Sequence, residues 1–379
     1  AAILEEALFA SVKNLYHHNE WLGDSGVQAL YTQKPNVRLV DPTKERKIAT
    51  IAGRYDLSTL PEAETFSGRR EELTELRKIL KDGELPFVYI WGLAGVGKSA
   101  LVHQILKRPG QDVVINDVLI LRCDQSSLQE VVTTFQQWIG KHFPDTRNLL
   151  ANLPKAPRET IRRIAEHVKG KKLVLVLDHV DSLMVSQEDR YWRFKNPLVE
   201  DFFIGLARAD WSILTIMTAR FLWHYTTQIP ENAYKDIHLS NLAPTDFSFI
   251  VGERDMFKKQ KDEHLQTFAN MVGGHPATID YISRLLASRD DLLADPRLKA
   301  SLVNYWHKSF LEKTLALLRD EERELLKVIC IHDSIFSPNL LQRYGELASP
   351  ESAAYIIVAW EMLSLADFIG TDQDDVAWY

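Results

Sequence analysis

Eight consecutive residues, Gly92, Leu93, Ala94, Gly95, Val96, Gly97, Lys98 and Ser99, match the pattern GxxxxGK[ST] in full. The chemistry open to them is anion binding. Glycines adopt backbone conformations that side chains resist, and they let successive N–H groups turn toward one phosphate. Lys98 brings a point charge for the β- and γ-phosphates of a nucleotide, and the Ser99 hydroxyl is a ligand for Mg2+. The helical run that opens at Ala100 presents its positive end to the same anion. A Gly-rich turn that binds nothing would lack the context seen here. An apolar strand candidate, Phe87–Trp91, leads into the loop, and a helix candidate, Ala100–Leu106, leads out.

A Mg2+ site beside such a loop needs a carboxylate delivered by a neighbouring strand. The run Leu173, Val174, Leu175, Val176, Leu177, Asp178 supplies one; the plainer reading of Asp178 is a turn or helix-cap residue. Ser99 and Asp178 are therefore the candidate metal ligands, and ATP or ADP with Mg2+ the candidate cofactors. P-loop ATPases that hydrolyse commonly carry a second acid directly after this Asp, to orient water, whereas here His179 follows. Asp181 is a candidate for that role or for capping the next helix. Slow or absent hydrolysis is the expectation.

The elements that must position these residues read as an α/β fold. Four short apolar runs, Phe87–Trp91, Val118–Arg122, Leu173–Leu177 and Ile213–Met217, with a weaker fifth at Ile237–Leu239, are continuous rather than alternating. That pattern fits a parallel sheet covered by helices on both faces. Helix-like spacing fills the gaps at Ser127–Ile139, Arg158–Val168 and Leu198–Ala209. The expected order is a P-loop domain over 61–242, a helical domain over 243–316 and, from three helices followed by strand-like pieces at Asp367–Gly370 and Val376–Tyr379, a winged-helix domain over 317–379. Residues 1–60 read as a linker or the tail of an effector domain.

Composition narrows the class. With 379 residues, 45% hydrophobic and 26% charged, the chain is an ordinary packed globular protein. The formal charge of −7 provides no global field that would draw it onto nucleic acid. The two cysteines, Cys123 and Cys330, sit in apolar runs as small core residues, which fits a reducing cytoplasm. No apolar stretch approaches the roughly 18 residues of a bilayer span. Ala1 at the start and a pattern still running at Tyr379 suggest a piece of a longer polypeptide.

Three further stretches carry a family resemblance. Phe66, Ser67, Gly68, Arg69, Arg70, Glu71, Glu72, Leu73 resembles the box that opens the nucleotide-binding domains of the STAND-class signalling ATPases. Ile213 to Arg220 resembles the fourth-strand motif of their NB-ARC branch, and Gly273, Gly274, His275, Pro276, Ala277 is similar to the motif in the helical domain that follows. The resemblance implies that Gly68 and Arg69 lie against adenine and ribose, that Arg220 reaches the γ-phosphate and that Pro276 packs on the adenine. The plainer readings are a surface salt bridge for Arg220 and a helix-start proline for Pro276; His275 reads as a neighbour only. The chain stops before the place where such winged-helix domains carry a His on the β-phosphate. Phe9 to Leu15 with Trp21, Leu22, Leu30 and Tyr31 loosely resembles the end of a CHAT caspase-like domain.

Two functions compete on this reading. One is a nucleotide switch that rearranges its domains, self-associates into an oligomer and controls an upstream effector under a downstream sensor, in cell death or immunity including antiphage defence. The other is an AAA+-like initiator whose winged helix reads DNA. Over residues 320–379 there are 12 Asp or Glu against 3 Lys or Arg, a net −9, which favours protein packing over DNA.

Overall fold

Residues Ile51–Tyr379 fall in one compact unit. The computed structural model describes residues 55–378, apart from 64–65, 84, 111–112, 187–191, 224–228, 231–232, 273, 288–291, 296, 299–300, 303–304, 306–307, 310–311, 316–317, 332–336, 346–355, 358–359, 361–369 and 372–376. The CHAT-like segment and Gly273 lie outside the described residues.

The segment expected to be linker up to residue 60 joins the α/β core by residue 55. Leu60 is buried, Tyr55 and Leu57 pack against the same cluster, and the Tyr55 hydroxyl donates to the Ile115 carbonyl at 3.4 Å. Helix α1 (Arg70–Asp82) follows and stops at Gly83, whose left-handed backbone turns its N–H back to the Ile79 carbonyl.

Strand β1 (Phe87–Trp91) leads through the loop into helix α2 (Lys98–Lys107). Next come β2 (Asp117–Arg122), α3 (Leu128–His142), α4 (Pro157–Ala165) and β3 (Leu173–Asp178). Helix α3 starts at a capping box: Ser127 accepts from the Glu130 N–H, and the Glu130 carboxylate accepts from the Ser127 N–H. A hairpin β4 (Met184–Ser186) and β5 (Trp192–Phe194), α5 (Pro197–Arg208), β6 (Ile213–Ala219) and β7 (Tyr234–His238) complete the α/β part. The hairpin was not expected; three-residue strands carry too little periodicity to show. Strand β7 begins at Tyr234, ahead of the weak apolar run that signalled it, because its first residues are only half-buried at the sheet edge.

The sheet runs β2-β3-β6-β1-β7, all neighbours parallel. Trp91 registers with Ala219 on one side and His238 on the other, so the carboxyl ends finish level around the loop. Continuous apolar strands feed both faces. Phe87, Tyr89, Leu175 and Leu177 point into a core with α3, α4 and α5, while Val88, Ile90, Val174 and Val176 point into one with α1 and α2. Each such fully buried side chain is worth about 1.5–3 kcal/mol of transfer free energy. This two-faced burial fits β1, β3 and β6; β2, at an edge, is mostly half-buried.

Beyond β7 the chain is helical. Helices α6 (Pro244–Glu253), α7 (Asp262–Val272) and α8 (Pro276–Leu286) share a core that includes Phe257, Phe268, Ile279 and Ile282, and Arg254 bridges to Asp280 and Ser283 of α8. Helices α9 (Asp320–Ile331) and α10 (Pro338–Tyr344), helical residues at 356, 357 and 360, and an antiparallel pair β8 (Gly370–Thr371) and β9 (Ala377–Trp378) follow in winged-helix order. The strand pieces expected from Asp367 and Val376 are observed only as residues 370–371 and 377–378; 367–369, 376 and 379 lie outside the described residues. Leu325, Ile329, Leu341, Ile357 and Trp360 belong to the same buried cluster as Phe87 and Tyr89, so this C-terminal part packs on the α/β part through an apolar seam. Among the described residues no helix is long and apolar enough to cross a membrane.

Candidate nucleotide site

The loop after β1 needs a glycine at its entry. Gly92 has φ 146°, and a Cβ there would stand 2.3 Å from the Leu239 carbonyl oxygen at the end of β7. Gly95 and Gly97 also lie at positive φ, Val96 is buried beneath the loop, and Ala100 lies in the first turn of α2. Lys98 opens α2, and its Nζ donates to the carbonyls of Gly92 and Leu93 at 2.7 Å each. Burial pushes the Lys98 ammonium down to about 8, Arg220 adds to the fall, and Asp181 and Asp178 oppose it.

Asp178 ends β3 with only 1% exposure. Its Oδ1 accepts from the Ser99 hydroxyl at 2.7 Å and from the Thr218 hydroxyl of β6. Strand β6 lies between β1 and β3, and Thr218 closes the gap that this insertion leaves. His179 stands in the left-handed region at φ 59°, its N–H donating to Thr218 Oγ1 at 3.1 Å and its Nε2 lying 3.6 Å from Asp178 Oδ2. Thr218 lies in the stretch that resembles the fourth-strand motif, but nothing in the sequence marked it as a partner of Asp178.

The donor set fits a hard divalent cation: Ser99 Oγ and Asp178 Oδ1 are adjacent oxygens beside the loop. Among the described residues no three His, Cys, Asp or Glu side chains gather as a metal site. An ion here would therefore take its remaining ligands from phosphates and water, as Mg2+ does.

Asp181 lies in the 3-10 turn Val180–Leu183 and caps no helix; α5 is capped by Asn196 instead. The Asp181 carboxylate accepts from the Arg220 N–H at 3.2 Å and faces the Arg220 Nε at 3.4 Å. The salt-bridge reading of Arg220 is thus observed, but the pair sits beside Lys98 rather than out on the surface. Lys98, Arg220, Asp178 and Asp181 form a formally neutral quartet.

The helical part meets the loop directly. Gly68 and Arg69 are consecutive left-handed residues at the head of α1, with Gly68 against the Asp246 carboxylate of α6. Arg69 is buried and donates to the carbonyls of Val96, at 3.1 Å, and Ser240, and pairs with Glu72 at 3.3 Å. These bonds make it a brace for the loop. Pro276 is the first residue of α8, as the helix-start reading had it. Its neighbours, His275 among them, touch the loop: the Ala277 N–H donates to the Gly95 carbonyl at 3.2 Å, and His275 Nε2 bonds the Ala94 carbonyl at 2.9 Å. Gly274 permits this approach, since its φ is 75° and a Cβ would stand 2.3 Å from the Leu242 carbonyl oxygen.

Residues 65–192, about a third of the chain, match the AAA ATPase domain family. No curated protein matches the chain in sequence. Among solved structures it is similar to the Walker-type ATPase PABY2304 of Pyrococcus abyssi (12% identity, 83% of this chain and 94% of that one, TM-score 0.46). It is also similar to the ORC2 protein of Aeropyrum pernix in ADPNP and ADP complexes (15%, 84% and 90%, TM-score 0.44) and to Drosophila ORC bound to DNA (11%, 93% and 96%, TM-score 0.42). With a complete phosphate-binding loop between β1 and α2 of a parallel sheet, the stretch that matches the AAA ATPase domain family has a P-loop ATPase fold.

Proposed function

We propose that this chain is an ATP/ADP-operated switch whose helical part reads the state of the phosphate loop and controls an attached effector, with self-association as part of its output. The observation that carries the reading is the pair of hydrogen bonds from α8 and the residue before it to the Gly95 and Ala94 carbonyls. Any change of the loop's backbone on binding is thereby felt by the helical part. A ligand shifts such an equilibrium by its differential contacts in the two states.

The residues divide the work by charge. Loop amides and Lys98 hold the β-phosphate; Arg220, released from Asp181, meets the γ-phosphate bidentately. The quartet is neutral before binding, so a polyphosphate adds negative charge that its local cations do not balance. Mg2+, which Ser99 and Asp178 would hold, supplies that balance when bound. His179 in the position of a water-orienting acid, and Asp181 engaged with Arg220, support slow turnover. Pro276 at the head of α8 and Gly68 at the head of α1 border the place proposed for the adenosine. Cell-death or immune signalling of NB-ARC type rests on the motif resemblance, as do the upstream effector and downstream sensor. The buried thiol of Cys123, pushed up to about 12 by burial, suits a reducing cytoplasm.

The nucleotide extracted from purified protein, together with its mass in solution, tests the switch. ADP in a monomer and ATP in a larger assembly are expected, and rapid steady turnover in an invariant monomer would refute it. The second reading is the AAA+-like DNA-binding initiator, with which the match to the AAA ATPase domain family is compatible. The net −9 of residues 320–379 and the apolar seam of α9 and α10 favour protein packing for the C-terminal part. Duplex binding with a steep salt dependence would decide for the initiator.

A further inference from the structure

Six successive carbonyls, from Gly92 to Gly97, accept hydrogen bonds from five donor residues. Lys98 Nζ takes Gly92 and Leu93, His275 Nε2 takes Ala94, the Ala277 N–H takes Gly95, Arg69 takes Val96, and the Leu101 N–H takes Gly97. In a trans peptide the C=O and the next N–H point in opposite directions, so a donor that holds a carbonyl also aims the following amide. The Ala94 carbonyl aims the Gly95 N–H, and the Gly95 carbonyl aims the Val96 N–H. The latter makes only a long 3.5 Å contact with the Leu93 carbonyl, which a phosphate oxygen would readily displace.

His275 is built for this task. It is 2% exposed, and its two ring nitrogens have different partners: Nε2 at 2.9 Å from the Ala94 carbonyl, and Nδ1 at 2.9 Å from the Thr278 hydroxyl. A carbonyl only accepts, so Nε2 carries the proton, and in the neutral ring Nδ1 accepts from Thr278. Burial, reinforced by the nearby Lys98 charge, holds the imidazole neutral down to about pH 4. The tautomer is thus set by a bond at the head of α8, and the Nε2 donor is turned onto the phosphate loop.

We propose that His275 is a positioning residue for phosphate binding: by holding the Ala94 carbonyl it pre-aims the Gly95 amide, so nucleotide affinity requires the helical part to be docked. The proposal rests on the nucleotide reading and assigns a task to a residue that touches no phosphate.

The two nitrogens can be separated. A Gln side chain places its amide N–H near Nε2, whereas Asn reaches only as far as Nδ1. Titration of His275→Gln, His275→Asn and His275→Phe with fluorescent ADP and ATP should show Gln within about threefold of wild type. Asn and Phe should bind both nucleotides about tenfold more weakly, the scale of one lost buried hydrogen bond. Thermal unfolding without nucleotide should leave Gln near wild type and Asn folded but less stable, since it too lacks the bond to Ala94, and if Phe does not fold, the Gln and Asn pair decides. Asn binding as tightly as wild type would reduce His275 to a support for α8 and overturn the proposal. Wild-type protein that bound neither nucleotide would instead overturn the reading of the loop itself.

Discussion

Asp181 and Arg220, 39 residues apart, are joined twice: the Arg220 N–H donates to Asp181 Oδ1 at 3.2 Å, and the guanidinium Nε lies 3.4 Å from Oδ2. The backbone bond anchors the carboxylate at the end of β6, and the side-chain pairing keeps the guanidinium beside Lys98. A charge held this way can exchange its carboxylate for a phosphate without leaving its place.

Arg220→Ala should therefore weaken ATP by about tenfold or more, the scale of a lost charge-assisted hydrogen bond, and change ADP by less than about threefold. Equilibrium titration with both nucleotides measures it. Equal losses would remove Arg220 from the γ-phosphate.

Lys98 gives a pH dependence with a definite sign. Its folded value of about 8 lies below the free-lysine value of 10.5. Below pH 8 both folded and unfolded chains hold the proton. Between the two values the folded chain has released it while the unfolded chain keeps it, so this group makes stability rise with pH across that window. Bound phosphates favour the ammonium, so binding above pH 8 takes up a proton and affinity falls as pH rises. Calorimetric titration at about pH 8.5 in buffers of different ionisation enthalpy should register proton uptake; Lys98→Ala should abolish binding.

Gly92→Ala and Gly274→Ala place a Cβ 2.3 Å from a backbone carbonyl oxygen, at φ 146° and 75° respectively. Main chain cannot rotate away as a side chain can, so each should cost more than about 2 kcal/mol. Gly170→Ala, at φ 79° with nothing within 4 Å of the added Cβ, is the control and should cost only about 1 kcal/mol. Denaturant unfolding of the three variants, with the order reversed, would show that the close approaches do not matter.

Trp360 is fully buried in the cluster that also holds Phe87 and Tyr89 of β1. Trp360→Ala should destabilise the chain by about 3–5 kcal/mol and lower the melting of the α/β part with it. Two separate transitions, with only the later elements affected, would mean that the seam is not cooperative.

Much of the α/β part was legible because its signals are local. Continuous apolar runs located β1, β3 and β6, and GxxxxGK[ST] bounded by strand and helix marked the loop. Asp178 at the end of its run was already a metal candidate, and its hydroxyl partner Ser99 was named with it. The hairpin β4–β5 and the start of β7 were illegible for the opposite reason, being too short or too polar to show a period.

What the sequence determined by itself was the loop, the strands that feed it and the types of charge available. What only the tertiary structure decided was which of those charges meet. The sheet order sets β6 between β1 and β3, which makes Thr218 the bridge to Asp178; the end of β6 brings Arg220 to Asp181; and the packing of α8 turns His275 from a bystander into a contact of the loop. Local propensity has no term for residues 39 to 181 positions apart, because their pairing is settled by the sum of core contacts that choose one strand order and one helix packing over the alternatives.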